Sequence, residues 1–194
     1  MALSGTQAHP GEGEQLEGLR TGQLPAFERL FADHGERMKS VAANILGNPA
    51  DAEDAVQEAM LKAYRGAARF QGGASVSTWL YRILLNTCYD FLRQSRRRAP
   101  VEAPMPPSEM VATSLPAGTR DHPLRLSIEK ALAQLEPRER TAFLLCEVEG
   151  FSHREAGEIL EVGEGASRAL LFRARRHLQK ALESSGALSP GGAS

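Results

Sequence analysis

TWLYRILLNTCYDFLRQSRR, residues 78–97, is the stretch on which the fold turns. Leu80, Ile83, Leu84, Thr87 and Phe91 recur every three or four residues, which predicts the inward stripe of a helix. Trp79, Arg82, Asn86, Asp90, Arg93 and Arg97 recur at the same spacing and share another face. An aromatic ring, guanidinium groups and an amide on one stripe suit unpaired nucleotides. Rings stack on bases, arginines hold phosphates and amides read base edges. A stacked base contributes roughly 1–3 kcal/mol. The plainer reading makes Trp79 a hydrophobic anchor of the core, and on these residues alone both stay open. Phe70, just before Gly72-Gly73, carries the same ambiguity.

Working outward, two more helices precede this one. Phe27, Leu30, Phe31, Met38, Val41 and Ile45 follow helical spacing up to the break at Gly47-Asn48-Pro49. Asn48 is placed to cap the next helix, with Pro49 at its first position and Asp51, Glu53 and Asp54 in its first turn. Its apolar stripe is Ala52, Ala55, Val56, Ala59 and Ala63. On the C-terminal side, Ser127 is the expected cap of a helix carrying Ile128, Leu132 and Leu135, and Pro137 starts another with Phe143, Leu144 and Val148. Ser152-x-x-Glu155 is a capping box with Phe151 in the staple position. That short helix ends near Leu160, Val162-Gly163 turns the chain, and Leu171, Ala174, Leu178 and Leu182 stripe a longer helix. A capped short helix, a glycine turn and a basic helix form a helix-turn-helix pattern. No run alternates with the period of a strand. The expected fold is all-α: two small helical domains, 23–98 and 124–183, joined by a Pro-rich linker, 99–123. Flexible tails are expected at 1–22 and 184–194.

The chain has 194 residues and a net charge of −1. That excludes a globally basic DNA coat but not local patches. Residues 82–98 set Arg82, Arg93, Arg96, Arg97 and Arg98 against Asp90, a net +4. Residues 165–182 carry Arg168, Arg173, Arg175, Arg176 and Lys180 with no acid, +5. Asp51, Glu53, Asp54 and Glu58 make residues 51–58 a −4 segment. Two basic helices on either side of a linker imply two polyanion contacts. The acidic helix implies a different partner on another surface. No apolar run is long enough to cross a membrane and the N-terminus lacks signal-peptide features, so the expected location is the cytoplasm. Cys88 and Cys146 are expected to pack as small hydrophobes, and His34, His153 and His177 to lie scattered on the surface. No metal-ligand cluster or cofactor loop is visible.

The same residues carry a family resemblance. DAEDAVQEAMLKAYR (51–65) followed by RFQGGASVSTWLYRILLNTCYDFLR (69–93) resembles region 2 of the bacterial RNA polymerase sigma factors. LEPRERTAFLLCEVEGFSHREAGEILEV (135–162) and FRARRHL (172–178) resemble region 4. With no room for a domain between them, the arrangement is similar to the extracytoplasmic-function (ECF) group of the sigma-70 family. The resemblance implies a non-enzymatic promoter-recognition subunit without cofactor or metal. Its implied partners are core RNA polymerase, promoter DNA as duplex and as melted single strand, and an anti-sigma factor. It implies that Asp51, Asp54, Gln57, Glu58 and Leu61 meet the polymerase. Phe70, Asn86 and Asp90 would capture bases of the −10 element, Trp79 and Arg82 would support strand separation, and Arg93 and Arg97 would extend that surface. Ser152, His153, Arg154, Gly165, Ala166, Ser167, Arg168, Arg173 and Arg175 would face the −35 element. Extended at ~3.1 Å per residue, the linker would reach roughly 75 Å, or about 22 base pairs, so both elements could be held at once.

Two departures from the family pattern carry their own expectations. Glu155-Ala156-Gly157 stands where Glu-Ile-Ala is common, so packing should loosen, and Gly157 should cost about 1 kcal/mol against alanine. Leu170 stands where an arginine is expected to face DNA, leaving Arg168 and Arg173 as the expected main phosphate contacts. The rival readings are a stand-alone duplex-DNA regulator and a helical enzyme. The first leaves the aromatic–arginine stripe and the acidic helix without a role. The second lacks any visible catalytic constellation.

Overall fold

A computed structural model describes residues 17–98 and 123–184; the expected linker and the outer parts of both expected tails lie outside the described residues. Among the described residues the regular structure is helical throughout. A helical turn over residues 17–20 leads into α1 (Leu24–Leu46), α2 (Pro49–Gly66) and α3 (Val76–Arg98). After the linker come α4 (Pro123–Ala133), α5 (Pro137–Phe143), α6 (His153–Ile159) and α7 (Glu164–Ser184).

Local chemistry explains most boundaries. The Asn48 side chain accepts from Ala50 N at 2.9 Å and Asp51 N at 3.5 Å, and Pro49 follows at the first helical position. Gly47, at φ 73°, closes α1 by returning its N–H to Ala43 O. The capping box at the head of α6 forms as expected: Ser152 Oγ accepts from Glu155 N, and the Glu155 carboxylate accepts from Ser152 N at 2.9 Å. α5 does not run on as an α-helix. Residues Leu144–Val148 form a π-helical stretch, after which Gly150 turns at φ 78°.

Several expectations are corrected here. Within the expected N-terminal tail, residues 17–20 instead form a helical turn and Leu19 is fully buried in the core. Ser127 is not a cap, since α4 begins at Pro123 and holds Ser127 inside the helix. Phe31 is exposed, lying off the Phe27–Leu30–Met38–Val41 stripe that α1 buries. His34 is half-buried, and its ring meets Tyr81 edge-on at 6.4 Å. The α2 stripe of Ala52, Ala55, Val56, Ala59 and Ala63 is buried as read; its small side chains let α2 approach α1 and α3 closely.

α3 is buried on more than the expected stripe. Besides Leu80, Leu84 and Thr87, the side chains of Tyr81, Leu85 and Cys88 are covered. The added cover comes from the C-terminal half, whose α6 packs on α3. A single core cluster runs from α1, α2 and α3 to Ala142, Leu145, Ala156, Ile159, Leu160 and Leu170. Phe151, the expected staple, sends its ring against Tyr81 at 4.9 Å. Arg140 Nη1 donates to Asn44 O at 3.0 Å across the same junction. A second cluster, Ala131, Leu132, Leu135, Ala174 and Leu178, joins α4 to α7.

Candidate polymerase and nucleic-acid interfaces

α2 turns its alanine stripe inward, so its opposite face is exposed by geometry. Asp54, Gln57, Glu58 and Leu61 all lie on that face, with Tyr64 beside them, while Asp51 is half-buried in the first turn. Lys62 anchors the edge of this face to α3. Its ammonium donates to Thr87 Oγ1 at 3.1 Å and lies 3.5 Å from Glu58 and 3.7 Å from Asp90. An acidic face with exposed Leu61 and Tyr64 fits a basic or mixed protein surface, since like charge repels nucleic acid.

Beyond α2 the chain crosses a short helical turn, Ala67–Arg69, to Phe70. Phe70 and Trp79 stack with centroids 4.7 Å apart and planes inclined by 25°. Each is only 8 % exposed, so the structure resolves the ambiguity in favour of the core: the two rings form a rigid wall, not a pair of free stacking platforms. The wall bounds an open cleft of about 510 Å³, also lined by Arg69, Gln71, Arg82 and, from α6, Glu158. Along α3 from this cleft, Asn86 is exposed and Asp90, Arg93 and Arg97 continue the line. Asp90 pairs with both Lys62 and Arg93, so its carboxylate is held in place. The face read from the spacing is therefore present, with Trp79 at its buried edge. The side chains of Arg96 and Arg98 lie outside the described residues.

The helix-turn-helix comprises α6, a turn through Glu161 at φ 55°, and α7. Gly157 sits where the turn doubles back. A Cβ there would meet Val162 O at 2.9 Å, so the glycine permits close packing where loosening was expected. Arg154, Gly165, Ala166, Arg168 and Arg175 are exposed. Ser152 is spent on the cap, and His153 is half-buried with Nδ1 3.9 Å from Cys146 Sγ. The expectation for Ser167 is corrected: its side chain is fully buried, and Leu170, only 7 % exposed, faces the core beside it. Arg173 is a structural arm: its Nε donates to Glu139 at 2.9 Å, and His177 Nδ1 lies 2.8 Å from the same buried carboxylate. His177 lies exposed at the surface, as read, with this contact to Glu139. Arg168 pairs with Glu164 and Arg175 with Glu147. Phe172, 67 % exposed on the outer face of α7, escaped the sequence reading. The available signal was a large apolar side chain off the Leu171–Ala174–Leu178 stripe.

Burial pushes the Cys88 thiol up to about 12, in keeping with a small hydrophobe. Burial, with the Glu149 carboxylate beside it, likewise raises the Tyr81 hydroxyl far above its usual range. No group of three or more His, Cys, Asp or Glu side chains among the described residues could hold a metal, and no described helix is long and apolar enough to cross a membrane.

Comparison with known proteins joins these surfaces to a family. Residues 30–98 match the family model Sigma-70 region 2, and residues 125–178 match Sigma-70, region 4. The chain is 32 % identical over 173 residues to the ECF RNA polymerase sigma factor SigM of Mycobacterium tuberculosis, covering 88 % of this chain and 84 % of SigM. It is 35 % identical over 173 residues to the RNA polymerase sigma factor CarQ of Myxococcus xanthus, covering 89 % and 97 %. Among solved structures it is similar to the sigma factor RpoE of Bartonella quintana, determined with the anti-sigma factor NepR. That match has a TM-score of 0.67 and 25 % identity, covering 81 % of this chain and 96 % of RpoE. The helical fold, the paired region 2 and region 4 matches and these relatives together make the chain a member of the ECF group of sigma-70 family RNA polymerase sigma factors, a promoter-recognising transcription initiation factor.

Proposed function

We propose that this sigma factor divides promoter opening among three surfaces of its two domains, 23–98 and 124–183. The exposed face of α2, Asp54, Gln57, Glu58 and Leu61 with Asp51 at its head, holds core polymerase. The cleft and α3 take the melted strand of the −10 element. Asn86 reads a base, Arg82, Arg93 and Arg97 take phosphates, and the stacked Phe70–Trp79 wall keeps the strands apart. Asp90, held by Lys62, fixes the position of its neighbours. The helix-turn-helix holds the −35 duplex through Arg154, Gly165, Ala166, Arg168 and Arg175. The linker, 99–123, spans the distance between the two elements.

The observation that carries this reading is an exposed amide, Asn86, and a guanidinium, Arg82, beside a cleft walled by two stacked rings. Unpairing costs a few kcal/mol per flipped base. Base capture at the cleft offsets that cost, while the polymerase and −35 contacts keep the duplex in register. The bond-forming chemistry is the polymerase's and not this chain's. The site of action is the cytoplasm, on the nucleoid when polymerase is bound. An anti-sigma factor, as in the solved RpoE–NepR complex, is the regulatory partner.

Asn86→Ala combined with Arg82→Ala tests the assignment. The expected result is normal holoenzyme assembly with loss of open-complex formation, read by a fluorescent base analogue within the −10 element. Normal melting by that variant contradicts it.

A further inference from the structure

Cys146 lies in the π-helical stretch Leu144–Val148, and its sulfur is 3.9 Å from Nδ1 of His153, the first residue of α6. Both side chains are half-buried, so solvent reaches the pair. A third group closes it from α7. Ser167 is fully buried, its hydroxyl faces the Cys146 sulfur, and it has no other hydrogen-bond partner among the described residues. A neutral thiol is a weak acceptor, so a buried hydroxyl spent on one gains little. Beside a sulfur carrying negative charge the same hydroxyl gains more. π-Helical stretches are rare and recur at functional sites.

Thiolate sulfur and imidazole nitrogen are donors that soft metal ions take. With bonds of ~2.3 Å to sulfur and ~2.0 Å to nitrogen, the two donors of one d10 ion stand ~3.5 Å apart at a tetrahedral angle and ~4.3 Å apart in line. The observed 3.9 Å falls between, so one ion bridges Cys146 and His153 with little movement. The donor count selects the ion. Among the described residues no third Cys, His, Asp or Glu joins the pair, so the four-donor shell of zinc is not supplied. A monovalent d10 ion is satisfied by two soft donors. Glu147, next in the chain, adds negative charge at the rim and is itself paired with Arg175. Burial raises the thiol, which is not the exposed, low-pKa thiolate of a peroxide sensor.

We propose that Cys146 and His153 bind one soft monovalent d10 cation, Cu(I), with the Ser167 hydroxyl donating to the coordinated sulfur. On binding, the S–H bond breaks, its proton passes to solvent and the sulfur–metal bond forms; no oxidation state changes. His153 gives the Nδ1 lone pair as a neutral imidazole, its proton on Nε2. The ion ties the π-helical stretch to the head of α6 and, through Ser167, to α7. It is a staple of the helix-turn-helix.

Titration of the full chain with Cu(I) under argon, against bathocuproine disulfonate as competitor, tests the site, and Ag(I) repeats it without redox chemistry. One ion should bind per chain, with a thiolate-to-metal absorption band and release of about one proton. Cys146→Ser should abolish the band, and Cys88→Ser, at a fully buried thiol, should leave it. Ser167→Ala should weaken binding about tenfold, as loss of a supporting hydrogen bond does, and His153→Ala by about 100-fold or more. X-ray absorption on the loaded wild-type protein should find one sulfur and one nitrogen at the metal, a reading that needs no variant to fold. Loading should slow amide exchange across residues 144–153. Wild-type affinity in His153→Ala overturns the site, as mere thiol ligation. Zn(II) bound as tightly as Cu(I), or a shell of three or more protein donors, overturns the two-donor assignment. Unchanged amide exchange overturns the staple.

Discussion

Gly157 occupies a helix interior where propensity alone favours alanine by about 1 kcal/mol. The structure reverses the sign, because the added methyl would press on Val162 O, a backbone atom that cannot swing aside. Gly157→Ala should therefore destabilise the protein by about 1–3 kcal/mol, as overpacking does, measured from the urea midpoint. Leu170 illustrates the same lesson: its place in the core makes Leu170→Ala a cavity mutation costing about 2–5 kcal/mol, read as a lower melting temperature. His34 adds a pH dependence. Burial holds its imidazole below the ordinary value of 6.5. The unfolded chain therefore binds the proton first as pH falls, and stability declines from about 6.5 downward toward the folded value. His34→Gln should flatten that decline when urea midpoints at pH 7.5 and 5.5 are compared; an unchanged slope would assign the effect to another group.

At the scale of elements, the arginines of α7 have different jobs although they look alike in sequence. Arg173 serves buried Glu139, so Arg173→Ala should cost about 1–3 kcal/mol by leaving that carboxylate short of a donor. Arg168 lies exposed on the same helix, so Arg168→Ala should leave the melting temperature in place. It should flatten the salt dependence of duplex binding by about 0.9 per lost phosphate contact. If Arg173→Ala is thermally silent, the structural role is wrong. Local signals made much of this architecture legible. The Asn48 cap, the Ser152–Glu155 box and the alanine stripe of α2 are short-range features whose physics is complete within a few residues. The exposed face of α2 followed from that stripe, and the line from Arg82 to Arg97 from helical spacing. What escaped was long-range. Nothing within α3 says that Tyr81 and Leu85 will be covered by a segment some seventy residues away. Nothing near Arg173 says that Glu139 waits for it. Ser167 was misassigned because α4, α5 and α6 all pack on α7 and bury more of it than one stripe.

At the scale of the whole molecule, a chain of net charge −1 keeps its charges apart, acid on α2 and base along α3 and α7. Among the described residues its two halves share one core. Beside the cleft lined by Arg69 and Arg82 stand two acids of the helix-turn-helix, Glu158 and Glu161. The central claim is that this chain lends core polymerase its promoter choice through Asn86 and Arg82. Transcription in vitro from a fragmented genomic library, with purified core polymerase and all start sites mapped, tests it most directly. With the wild-type protein, discrete new start sites should appear behind a shared two-block element, and the Asn86→Ala, Arg82→Ala variant should assemble with polymerase yet lose them. A start-site map unchanged by the wild-type protein, or one retained by the variant, would contradict the account.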